Sequence, residues 1–115
     1  MPLLKITTSV SPAPEHSKLL ANLSHLCAAR LGKLESYVMT AIEHPSLMTF
    51  GGTTEPSCYV ELKNVGRFSA ELTQQLSAEL CERLSSGLGV AKDRIYIEFA
   101  DAEGYLWGYD GETFA

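Results

Sequence analysis

Apolar residues recur along this chain with two different periods, and each change of period marks an element. Residues 2–8, PLLKITT, are β-favouring and too short for a helix, so they predict a first strand. Pro12 and Pro14 in SPAPEHSKLL bar a continuing strand and suit a loop or a first helical turn. From Leu19 the apolar positions are Leu19, Leu20, Leu23, Leu26, Cys27 and Leu31, which draw one face of a helix that Gly32 stops. His16 and His25 fall on or near this helix, where surface or capping roles are expected. YVMTAIE, residues 37–43, is again strand-like.

The stretch HPSLMTFGGTTEP is turn-rich, yet Leu47, Met48 and Phe50 give it something to bury, so it reads as the middle of the fold rather than a linker. After it the order repeats. SCYVELK (57–63) sets Cys58, Val60 and Leu62 against Ser57, Tyr59, Glu61 and Lys63, a strand with two different faces. Phe68, Leu72, Leu76, Leu80, Leu84 and Leu88 follow at steps of four and predict a second helix with Cys81 beside its apolar face. RIYIEFA (94–100) alternates Ile95, Ile97 and Phe99 against Tyr96 and Glu98. The aromatic, glycine-punctuated tail GYLWGYDGETFA fits a short hairpin or an edge strand. Tandem βαβ units of this kind predict a two-layer α/β sandwich, with two helices over one sheet. Pattern alone leaves a ferredoxin-like arrangement equally open. The second faces of the strands carry Tyr37, Met39, Ala41 and Tyr59, apolar enough to expect a homo-oligomer.

The 115 residues fit one domain, expected over 1–115. Nine basic against 14 acidic residues give a net charge of −5 with no basic stripe, which argues against a nucleic-acid partner. No apolar run approaches the ~18 residues of a membrane span, and the start MPLLKITTSV does not read as a secretory signal. Three cysteines without short spacings point to a reduced chain, with a cytoplasmic location expected. His16, His25 and His44 lack any array of metal-ligand spacing, and no phosphate-cradling loop or nucleophile elbow occurs, so neither metal nor cofactor is expected. Cys58 shares the face of Val60 and Leu62 and reads as core. What remains unusual is Pro2 directly after Met1. With Met1 removed, Pro2 would carry a free secondary amine, and burial or nearby cations would lower its pKa into the range of a general base near neutrality.

The chain resembles the macrophage migration inhibitory factor family, in the tautomerase superfamily that uses an amino-terminal proline. The resemblance runs over the whole length. It is carried by Pro2, Gly32-Lys33, Tyr37, the segment Leu47-Met48-x-Phe50-Gly51-Gly52 with Glu55-Pro56, then Gly66 and Leu80-Cys81. Asp93-Arg94-x-Tyr96-Ile97, Asp101, Gly108 and Thr113-Phe114-Ala115 complete it. It implies a tautomerase-type α+β fold, a four-stranded mixed sheet with two antiparallel helices on one face and short C-terminal strands, assembled as a homotrimer, which displaces the ferredoxin-like alternative. It also implies keto–enol tautomerisation of arylpyruvates such as phenylpyruvate and hydroxyphenylpyruvate, and of dopachrome-like compounds, with Pro2 as the catalytic acid/base. By the same resemblance Lys33 holds the substrate carboxylate and lowers the Pro2 pKa, and Val65 offers a backbone N–H. Tyr96 matches a pocket tyrosine contributed by the neighbouring subunit, Glu98 shares its strand face in the pocket built between subunits, and Tyr37, Tyr109 and Phe114 form an aromatic wall.

Several positions depart from the family pattern. Glu98 replaces an asparagine, Tyr109 a tryptophan, Leu34 a proline and Lys63 a histidine, and Trp107 stands where a smaller aliphatic residue is usual. Ser57 and Val60 occupy the places of the family's CxxC cysteines, so dithiol chemistry by that motif is not expected. A second reading keeps the protein as a secreted receptor ligand with a vestigial pocket, released without a signal peptide. Pro12, standing where the animal cytokine has a receptor-contacting arginine, weakens it.

Overall fold

In a computed structural model of the chain, which describes residues 1–45 and 47–115, strand β1 (Leu3–Thr8) buries alternate residues, Leu4, Ile6 and Thr8. Helix α1 (His16–Leu31) follows, then β2 (Met39–Glu43), β3 (Cys58–Val65), helix α2 (Ala70–Leu88), β4 (Ile95–Ala102) and a C-terminal pair, β5 (Gly108–Tyr109) and β6 (Glu112–Thr113). The main sheet has the order β2-β1-β3-β4. Each βαβ unit pairs its own strands in parallel, β1 with β2 and β3 with β4, and the two units join through the antiparallel β1–β3 pair. Ser46, inside the turn-rich stretch, lies outside the described residues. The tail takes the hairpin form, with Gly108 paired to Thr113.

The core lies between the helices and one face of the sheet. Cys58, Val60 and Leu62 from β3 meet Leu76, Leu80 and Leu84 from α2 and Leu23, Leu26 and Cys27 from α1. Each fully buried leucine contributes about 1.5–3 kcal/mol relative to exposure, so these three rows dominate the stability. The helices approach closely at Gly87, where a Cβ would lie 2.9 Å from the Leu19 methyls. Arg30 on α1 forks onto Glu79 on α2, with both N–O distances 2.8 Å.

Three expectations need correction. Tyr37 does not begin β2. It closes a single 3-10 turn, Glu35–Tyr37, because Tyr37 N and Val38 N bond back to Leu34 O and Glu35 O, each at 3.0 Å. Phe68 precedes α2 rather than joining it. Ser69 caps the helix through Leu72 N at 3.1 Å, and Phe68 instead packs edge-on against Phe99 with ring centroids 5.4 Å apart. His16 is not a surface residue. It is buried and stacks on His44 with centroids 5.5 Å apart, and His44 Nδ1 donates to Val10 O at 2.6 Å. The helix begins at His16, one turn before the reading that starts at Leu19. The steps of four, three and four from His16 through Leu20 and Leu23 to Cys27 put its ring on the apolar face. His25 is exposed and pairs with Glu35 at 3.4 Å, as expected of a surface position.

Candidate active site

Helix α1 ends where Gly32 adopts a left-handed φ of 63°, a conformation that costs glycine little. Lys33 follows, its amide bonded back to Ala28 O at 3.0 Å. Its side chain crosses the end of the sheet, and Nζ donates to Val65 O at 3.0 Å. Val65 is the last residue of β3. The antiparallel register that sets Leu3 opposite Lys63 continues by one step to set Pro2 opposite Asn64. Pro2 is fully buried, and its carbonyl accepts from Met39 N at 3.0 Å. The amino terminus, Lys33 and the end of β3 thus meet at one edge of the core. There the Met1 ammonium is held below its ordinary 8.0, first by burial and then by the Lys33 charge. Lost hydration and a nearby cation both favour the neutral amine.

Beside this edge, Tyr37 meets Tyr109 edge-on at 5.2 Å and Phe114 at 6.4 Å, while Tyr109 and Phe114 stack at 5.8 Å. Pairs of this geometry add about 0.5–1.5 kcal/mol each beyond area burial. The backbone fixes the trio, since Phe114 N donates to Gly104 O at 3.0 Å and Trp107 O at 3.2 Å. A hollow of about 490 Å³ opens next to Val65 and carries Arg67, Asp101 and Glu103, although neither Pro2 nor Lys33 lines it.

Tyr96 and Glu98 stand apart. Pro2 is level with Asn64 and hence with Asp101, five residues along β4 from Tyr96, which separates them by roughly 16 Å. Both side chains are exposed on the face away from the helices. Within one chain, then, Pro2, Lys33, Val65, Tyr37, Tyr109 and Phe114 gather near one end, and Tyr96 and Glu98 lie outside that group. Glu98 is paired with neither Lys63 nor Lys33; its carboxylate accepts from Tyr59 Oη at 3.0 Å, a diagonal neighbour two residues along β3 from Glu61, which lies directly opposite Glu98. That hydrogen bond is the main reason the Tyr59 phenol is pushed above its ordinary pKa.

The Tyr96 end is organised by Arg94. Its guanidinium donates to Pro56 O (2.9 Å), Phe50 O (3.1 Å), Thr53 O (3.3 Å) and Glu55 O (2.9 Å), and it sits 5.4 Å from the Phe50 ring centre. Phe50 in turn packs on Tyr96 at 4.7 Å. Lysine has no planar fork and cannot reproduce four divergent bonds. Arg94→Lys is therefore expected to speed amide exchange at Phe50 and Thr53, which bond to each other's carbonyls, by about tenfold. Unchanged exchange would show that the loop is held independently of Arg94.

Sequence periodicity missed Asn64. It occupies the fourth core-facing position of β3 after Cys58, Val60 and Leu62, is only 4% exposed, and its Oδ1 has no hydrogen-bond partner among the described residues. Such an acceptor costs about 1–3 kcal/mol when left unmet. The signal was the polar residue ending an apolar alternation. Two of the three cysteines are buried, and burial pushes the Cys58 thiol up to about 12 and Cys27 to about 11. Among the described residues no group of three or more His, Cys, Asp or Glu is placed to hold a metal ion, and no helix is long and apolar enough to cross a membrane.

The sequence model of the family described as "Macrophage migration inhibitory factor (MIF)" matches residues 1–115. A macrophage migration inhibitory factor homolog of Trichuris trichiura is 38% identical over 114 residues, covering 99% of this chain and 100% of that protein. The macrophage migration inhibitory factor of Rattus norvegicus is 31% identical over 115 residues, the full length of both. The crystal structure of a homologue from Prochlorococcus marinus superposes with a TM-score of 0.94 at 43% identity, covering 98% of this chain and 99% of that one.

Proposed function

Because the chain belongs to the MIF family of the tautomerase superfamily, we propose that it is a keto–enol tautomerase of arylpyruvates, with the Pro2 amine as acid/base once Met1 is removed. Membership supports isomerase activity in general. The observation that supports the finer reading is the fully buried Pro2 beside a partly buried amino terminus that the Lys33 charge also reaches, a setting that lowers an amine's pKa. In the proposed step the Pro2 nitrogen takes a proton from the carbon next to the ketone of phenylpyruvate or hydroxyphenylpyruvate. The electron pair moves onto the carbonyl oxygen, and the same nitrogen returns a proton there to give the enol. Lys33 holds the carboxylate, the Val65 backbone N–H contacts the ligand, and Tyr37, Tyr109 and Phe114 flank the ring. Dopachrome-like compounds would react by the same proton shift. In a homotrimer the neighbouring subunit brings Tyr96 and Glu98 to this site. A receptor-binding role rests on family membership alone.

The test is ketonisation of the phenylpyruvate enol, followed by ultraviolet absorbance, with protein whose intact mass shows Met1 removed. Turnover is expected; none from such protein would overturn the proposal.

Glu98 offers a separate check. Glu98→Asn leaves an acceptor for Tyr59 and removes a negative charge that opposes an anionic substrate, an effect on the order of 1 kcal/mol. KM for hydroxyphenylpyruvate is expected to fall several-fold. An unchanged KM would place Glu98 outside the pocket.

A further inference from the structure

Asn64 is a buried amide whose oxygen has no partner among the described residues of a chain that still carries Met1. The β1–β3 register sets it opposite Pro2, and the alternation of both strands turns the two side chains to the same face. Directly opposed residues of an antiparallel pair hold their Cβ atoms about 4.5–5.5 Å apart, within reach of a hydrogen bond from the backbone of one to the side chain of the other. While Met1 is attached, the Pro2 nitrogen is a tertiary amide with no hydrogen to donate. Removal of Met1 turns it into a secondary amine with one N–H, or two when protonated. We propose that Asn64 is the positioning residue for that amine, its Oδ1 accepting the N–H that processing creates. The inference rests on the proposed role of Pro2 as the base.

The consequence is directional. An amine with one N–H held by Asn64 has a fixed lone pair, which leaves that lone pair free for the substrate. An acceptor at the nitrogen also favours the protonated amine, opposing Lys33. Lys33, from the end of α1, is the charged side chain that acts on the amino terminus. Asp101 on β4 pairs with Asn64 and shares its face, but is exposed. On β2 the neighbouring residue is the uncharged Met39, whose N–H bonds Pro2 O.

The experiment uses protein beginning at Pro2, verified by intact mass, with the proline labelled by ¹⁵N. Asn64→Leu keeps the shape and removes the acceptor, and Asn64→Ser keeps a shorter acceptor. In the wild type the amine's nitrogen shift gives the titration midpoint directly, whether or not the protein turns over substrate. Asn64→Leu is expected to lower that midpoint by roughly one pH unit, and Asn64→Ser by less. The acidic limb of kcat/KM should move down with it, a shift that a purely packing role for Asn64 would not produce. A midpoint unchanged in Asn64→Leu overturns the inference even if the protein is an active tautomerase. A shifted midpoint in a protein without tautomerase activity upholds the inference and removes the catalytic role of Pro2.

Discussion

Pro2→Gly, in protein freed of Met1, is expected to lower kcat/KM for phenylpyruvate ketonisation by about 10²-fold or more while the protein stays folded. The loss has two sources. Glycine keeps an amino group but as a primary amine, without the ring that fixes the direction of the lone pair. It also leaves empty the space of a fully buried ring, so the amine gains freedom just where near-attack geometry matters. General acid–base catalysis by a positioned group is worth roughly 10²–10⁴-fold, which bounds the effect. The fold should survive, because the core rows of Leu4, Ile6, Val60 and Leu62 begin beyond Pro2. Pro2→Ala should fall between, since it restores a side chain but not the ring. Protein retaining Met1 should be inactive for a different reason, since its Pro2 nitrogen is an amide with no basic lone pair. Turnover across preparations should therefore scale with the fraction of Met1 removed, read by mass. Equal turnover by wild type and Pro2→Gly would remove Pro2 from the chemistry.

The fold was legible where one period held without interruption. The steps of four from Leu72 to Leu88 and the alternation of Cys58, Val60 and Leu62 named the buried faces of α2 and β3 correctly, since burial of one face is what periodicity records. Periodicity is blind to polar residues that share a buried face, and His16 and Asn64 both went unread for that reason. It is equally blind to strand direction: nothing in the faces of β1 and β3 says that they run antiparallel while β1 and β2 run parallel. Tyr37 looked like strand because of its β-favouring neighbours. The hydrogen bonds of the Leu34–Val38 turn decided otherwise. Pro2 stood out by its place after Met1, but the rest of the candidate site was legible only through whole-chain resemblance, because its members lie at residues 33, 37, 65, 109 and 114 and no local spacing joins them. What joins them is topology. Lys33 reaches Val65 across 32 positions because α1 ends over the last residue of β3.

Lys33→Met is expected to separate the two jobs proposed for that cation. Methionine keeps an unbranched stem of similar length, so packing at the end of α1 changes little, while the charge and the bond to Val65 O are lost. A hydrogen bond to a charged group is worth about 1.5–3 kcal/mol, so losing the one to the substrate carboxylate should raise KM for phenylpyruvate roughly 10- to 100-fold. The second effect has a definite sign. The Lys33 charge disfavours a protonated amine at the amino terminus, and removing it lets the amine hold its proton to higher pH. The acidic limb of kcat/KM should therefore move upward, and the variant should lose more activity at pH 6 than at pH 8. Burial, the larger cause at the amino terminus, remains in the variant, so the limb should rise only part of the way towards that of an exposed amine. A raised KM with an unmoved limb would leave Lys33 as a carboxylate anchor alone. If both quantities matched the wild type, Lys33 would have no part in the site, and its bond to Val65 would be a cap on the end of the sheet.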